Sequence, residues 1–175
     1  MLTSRAGPQK VLRITTTPRV DGHFPAFESP EATLTLVCHF RETASNGGWA
    51  VLTRAANRCG AERPLGSALA APGEPVSIPG GWSDKDVVYA RIEAPTLLRD
   101  RLRGLLHRPS IPELALDQMA VPVPRRLHQQ PLILRVPKTV GFIEYPPGPA
   151  VEFVTSHSAD PIRLRFYAVP IRSRS

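Results

Sequence analysis

The chain has few cysteines, few aromatics and almost no lysine, and it has no long apolar run. Two cysteines, Cys38 and Cys59, are too few for a disulfide framework. They also lack the CxxC spacing of a structural zinc site, and they read as two free thiols, with Cys38 buried. No stretch is long and apolar enough to span a bilayer. Residues 1–10 lack the apolar core of a secretory signal. GxGxxG, GxxxxGK[ST] and GxSxG are all absent, so no phosphate-cradling loop or nucleophile elbow is announced. These absences point to a protein of the cytoplasm or of a viral particle, with no cofactor, no metal and no membrane partner.

Turn-formers and arginine are what the chain has in quantity. Its 175 residues include 20 Pro and 12 Gly, spread along the whole length. Proline lacks an N–H and clashes with the preceding helical turn, so this spread disfavours long helices. Of the 22 basic residues only Lys10, Lys85 and Lys138 are lysines. The formal charge is +7, and residues 95–175 hold 12 basic against 6 acidic side chains, so the excess lies in the C-terminal half. Such a half can meet nucleic acid or an acidic protein surface.

Period-2 patterning dominates. Glu31 to Arg41 alternates Leu34, Leu36, Cys38 and Phe40 with Thr33, Thr35, Val37 and His39, and reads as a strand. Asn46-Gly47-Gly48 is a hairpin turn leading into a strand from Trp49 to Arg54. Val11 to Thr17 reads as a strand with Leu12 and Ile14 inward, and Ala55 to Pro75 as a long loop. Asp86 to Glu93, Leu132 to Val136, Thr139 to Tyr145, Ala150 to Thr155 and Ile162 to Ile171 complete the strands. Helix is expected only within 95–119. Pro95 opens a stripe of Leu98, Leu102, Leu105 and Leu106, and Ser110 with Glu113 has capping-box spacing for a second short helix over Ile111 to Met119. The resulting fold is mainly β: an antiparallel β-sandwich or barrel with one or two short helices inserted around residues 95–119. Residues 10–171 form one β-rich domain, with an N-terminal arm over 1–9 and a tail over 172–175.

Few groups carry a catalytic pattern. Cys38 and His39 are adjacent, so on a strand they point to opposite faces and cannot form a dyad. Ser156, His157 and Asp160 are triad types, but so close in sequence that they read as a turn. Glu144 and Glu152 on neighbouring strands could pair as the carboxylates of a small β-scaffold hydrolase. Arginine gives the stronger pattern. Arg163 and Arg165 share a strand face with Tyr167, opposite Ile162, Leu164 and Phe166. With Arg125, Arg126, Arg135, Arg172 and Arg174 they form the candidate interface. Guanidinium suits both protein carboxylates and nucleic-acid backbone. The expected function is therefore non-enzymatic: a structural or assembly subunit of a larger particle such as a virion (a capsid, decoration or tail component), contacting other protein subunits, including copies of itself. A basic nucleic-acid-binding subunit of a ribonucleoprotein is the alternative.

Overall fold

The computed structural model describes residues 2, 4, 6–15, 29–71, 75–93, 113–116, 119–122, 131–143, 150–154 and 162–172; for 113–116, 119–122 and 150–154 it describes the backbone alone. The described strands are β1 (Lys10–Ile14), β2 (Phe40–Asn46), β3 (Trp49–Arg54), β4 (Arg63–Ala70), β5 (Pro75–Ser77), β6 (Asp86–Glu93), β7 (Glu113–Leu116), β8 (Met119–Pro122), β9 (Leu132–Arg135), β10 (Ala150–Val154) and β11 (Ile162–Pro170). One α-helix, α1, spans Pro30–His39, and a 3-10 turn spans Lys138–Val140. The strands form three antiparallel sheets, ordered β1-β3-β2, β5-β10-β7-β8 and β4-β11-β6-β9. The protein is thus mainly β with antiparallel pairing, as its patterning implies.

Helix α1 corrects the strand expected over Glu31 to Arg41. Its buried residues include Pro30, Thr33, Leu36 and Val37, a helical spacing that coexists with the alternation in the same letters. Pro30 suits the first helical position, Glu31 places a carboxylate in the first turn, and Thr35 Oγ1 donates to the Glu31 carbonyl at 2.9 Å. Extended backbone resumes at Phe40, where β2 begins. Four other expectations are also overturned. Leu12 and Ile14 lie outward on β1, 62% and 41% exposed, while Val11 packs inward. Part of the expected loop over Ala55 to Pro75 is strand β4. Part of the expected second short helix is strand β7. The strand expected from Thr139 is instead a 3-10 turn closed by Gly141 at φ 73. The expected leucine-striped helix at 95–108 lies outside the described residues.

Two buried clusters hold these elements. One gathers Ile162, Leu164 and Phe166 of β11 with Ala90 and Ile92 of β6, Leu132 and Leu134 of β9, Ala70 of β4 and Val76 of β5. The other joins Leu36 and Val37 of α1 to Phe40, Ala50 and Leu52 of the three-stranded sheet and to Val87, Ile133, Val140, Phe142 and Ile171. Strand β9 contributes to both, because Ile133 points to the opposite side from Leu132 and Leu134. Gly47 and Gly48, at φ 55 and 82, form the two-residue loop that pairs Asn46 with Trp49, which is the hairpin the sequence announces.

The cysteines are not free. Cys38 and Cys59 are joined in a disulfide with their Cα atoms 5.1 Å apart. The helix ending at His39 brings Cys38 beside the 55–59 segment, where Arg58 N donates to the Cys38 carbonyl at 3.0 Å. Cys59 also bridges to Ile171, so the bond ties α1 to the end of the chain's last strand.

Candidate interaction surfaces

Strand β11 separates its side chains as its alternation requires. Ile162, Leu164 and Phe166 are buried, and Arg163 and Arg165 are exposed. Pairing with β6 sets Arg163 opposite Glu93, Arg165 opposite Arg91 and Tyr167 opposite Tyr89. Like charges directly opposite repel, and each of that pair turns to a carboxylate. Arg165 Nε lies 2.8 Å from Glu93 Oε1, and Arg91 Nη2 lies 3.0 Å from Glu62 Oε2. Tyr89 and Tyr167 stack at 5.4 Å between centroids, with the Arg91 guanidinium carbon 4.7 Å from the Tyr167 centroid. The Tyr89 hydroxyl donates to Glu62. Arg165 and Arg91 with the two tyrosines are therefore an ion-paired aromatic network, and Arg163 stands outside it. Tyr89 is 1% exposed and Tyr167 is half-buried under Arg91, so neither ring offers an open face to a base.

The other arginines singled out in the sequence do not join that network. Arg135 on β9 lies over Trp82 at 4.5 Å and pairs with Asp84 at 2.5 Å. Arg172 is exposed, and its backbone N–H donates to the Arg58 carbonyl at 2.8 Å. Arg125, Arg126 and Arg174 lie outside the described residues, as do Glu144 and the Ser156–Asp160 turn. Glu152 is described only by its backbone, paired with Ala115 of β7 and Pro75 of β5.

A second surface was hidden from sequence reasoning by the inward placement given to Leu12 and Ile14. Across the three-stranded sheet, Ile14 pairs with Trp49 and Leu12 with Val51. Cross-strand partners share a face, so these four side chains form one contiguous block. Leu12, Ile14 and Trp49 are 62%, 41% and 45% exposed. On the opposite face of the same sheet, Ala50 and Leu52 are fully buried. Both faces carry apolar side chains, and Leu12, Ile14 and Trp49 of the outward face are left exposed beside Lys10 and Thr53. Exposed Trp49 beside two exposed aliphatics at pairing distance is the signal that a strict inside-outside alternation misses.

Unpaired cations form a third feature. Arg58 Nε donates to the Val37 carbonyl at 2.7 Å, in the last turn of α1, while its Nη2 is buried without a partner among the described residues. Burial lowers the Arg58 pKa and the nearby Arg41 charge lowers it further. Arg41 Nε and Arg13 Nε are likewise buried and unpartnered, and burial lowers the Arg13 pKa. Among the described residues no group of three or more His, Cys, Asp or Glu stands close enough to hold a metal ion, and no helix is long and apolar enough to cross a membrane. Comparison with protein-family models, with curated proteins and with solved structures finds no match to this chain.

Proposed function

We propose that the protein is a non-enzymatic assembly subunit that acts through protein–protein contacts, copies of itself included, as a component of a larger particle such as a virion. The observation that carries this reading is the outward face of β1-β3-β2, with Leu12, Ile14 and Trp49 exposed together. Soluble proteins rarely leave contiguous apolar surface open unless something docks there, and aromatic side chains are enriched at such contacts. We read the two four-stranded sheets as the layers of a sandwich, because Val76 of β5 is buried in the cluster formed by β4, β6, β9 and β11. Light scattering on the native protein tests the assembly reading: a multimer supports it, and a monomer at high concentration counts against it.

Nucleic-acid binding is the second reading, and Arg163 favours it. That guanidinium is exposed, with no ion-pair partner among the described residues, next to Arg165 and Tyr167. Against it, Glu62 and Glu93 neutralise Arg91 and Arg165, and the stacked tyrosines are covered. Titration of single-stranded RNA at two salt concentrations separates the readings, because phosphate contacts weaken steeply as salt rises. Salt-sensitive affinity lost in Arg163→Gln/Arg165→Gln would establish the second reading. A small hydrolase using Glu144 and Glu152 gains no supporting geometry from the described residues.

A further inference from the structure

We propose that Arg41 and Arg58 form a binding site for a phosphate-type oxyanion at the junction of α1 and β2. The two residues are brought together by the backbone. Arg41 is the second residue of β2, directly after the helix, and Arg58 is anchored to that helix through Val37 O at 2.7 Å and Cys38 O at 3.0 Å. The Cys38–Cys59 disulfide fixes the approach from the neighbouring residue. Each guanidinium then holds a buried nitrogen with no acceptor among the described residues: Nε of Arg41 and Nη2 of Arg58.

Two features favour a ligand at this arrangement. A buried donor left unmade is unfavourable, and such groups ordinarily find a partner. The two charges also repel each other, which contributes to the lowered pKa of Arg58. Every other exposed or half-exposed arginine with an ion pair has its own carboxylate: Arg63 with Asp86, Arg91 with Glu62, Arg135 with Asp84 and Arg165 with Glu93. No described carboxylate pairs with Arg41 or Arg58, which leaves their charges open to an anion from outside the described residues.

The ligand class follows from the donors. Guanidinium presents forked N–H groups that match phosphate oxygens, and bonds to an ionised acceptor are the stronger kind. Two guanidiniums carry two positive charges. A phosphate dianion offsets both and has enough oxygens to accept from each side, whereas one carboxylate leaves one charge uncompensated. Lys10 adds a further cation on the same side of the sheet, since Lys10 and Arg41 both pair with Thr53.

The test is a calorimetric titration with inorganic phosphate at constant ionic strength, chloride being the balancing anion, together with thermal melts. The parent chain should bind a single phosphate saturably and melt higher in phosphate than in chloride, as any ligand that favours the folded state requires. Arg58→Gln should weaken binding by about tenfold or more, the loss of a charge-assisted pair. Arg41→Gln supplies the control for folding, because the Arg41 side chain makes no described hydrogen bond. It should melt at or above the parent in chloride, with the repulsion removed, and should lose the gain from phosphate. Arg163→Gln, an exposed cation on another sheet, should bind as the parent does. Absence of saturable binding, binding that survives both Arg41→Gln and Arg58→Gln, or an equal melting gain from acetate would overturn the assignment.

Discussion

Asp86 shows how single residues set this fold's stability. Its carboxylate is 3% exposed and accepts from Arg63 Nη2 at 2.6 Å and from Ser83 N at 2.8 Å, closing the loop that leads into β6. Truncation leaves both donors without an acceptor. Asp86→Ala should therefore cost about 1–3 kcal/mol, the loss of two hydrogen bonds to a charged acceptor, and Asp86→Asn should cost less because it still accepts from Ser83. Urea denaturation of the two variants checks the order; equal stabilities would show that the contacts contribute little. The disulfide gives a second prediction. Its cysteines are 21 residues apart, and closing a loop of that size stabilises by about 3 kcal/mol in the chain-entropy account. Reductant should lower the melting temperature, and thiol titration of the unfolded, unreduced chain should find no free thiol. Two reactive thiols would contradict the bond. The burial of Cys38 was legible because its apolar neighbours bury it on either a strand or a helix. The bond was not, since it depends on α1 ending where it does.

Elements differ in how strongly their letters specify them. Strands β3, β6, β9, β10 and β11 fall where period-2 patterning places them, to within a residue or so at their ends. For β6 and β11 the reason is a buried face packed against a filled cluster, which makes any slip in register costly. Leu164, fully buried between β4 and β6, should lose about 2–5 kcal/mol on truncation to Ala. Leu69, 59% exposed one strand away, should change stability by less than about 0.5 kcal/mol, as surface positions do. A thermal melt of the two variants distinguishes them, and a similar loss in both would mean that Leu69 is covered. Helix α1 was misread because ten residues can satisfy both periods, and Pro30 with Glu31 decides for the helix only when the start site is known. Strand β4 was missed for the opposite reason: Arg63–Ala70 is mostly exposed, so it has little apolar alternation to read, and its pairing with β11 supplies the order.

At the scale of the molecule, the charge of +7 is partly balanced in place among the described residues. Where arginines stand on the described sheets, Asp84, Asp86, Glu62 and Glu93 meet four of them. Composition revealed the excess of arginine but not its pairing, because the ion pairs join residues far apart in sequence, as Arg165 and Glu93 are. The apolar surface follows the reverse logic. Sequence patterning assigned Leu12 and Ile14 to a core, and pairing with β3 sets them beside Trp49 on the outside. An assembly subunit has a use for such a face, and the account stands on that use. The most direct measurement is sedimentation velocity of the parent chain beside Leu12→Ser/Trp49→Ser. Both positions are exposed, so the variant should keep its fold and melting temperature. The account predicts a concentration-dependent multimer for the parent and a monomer for the variant. A parent that stays monomeric at every concentration, or a variant that assembles as its parent does, would contradict it.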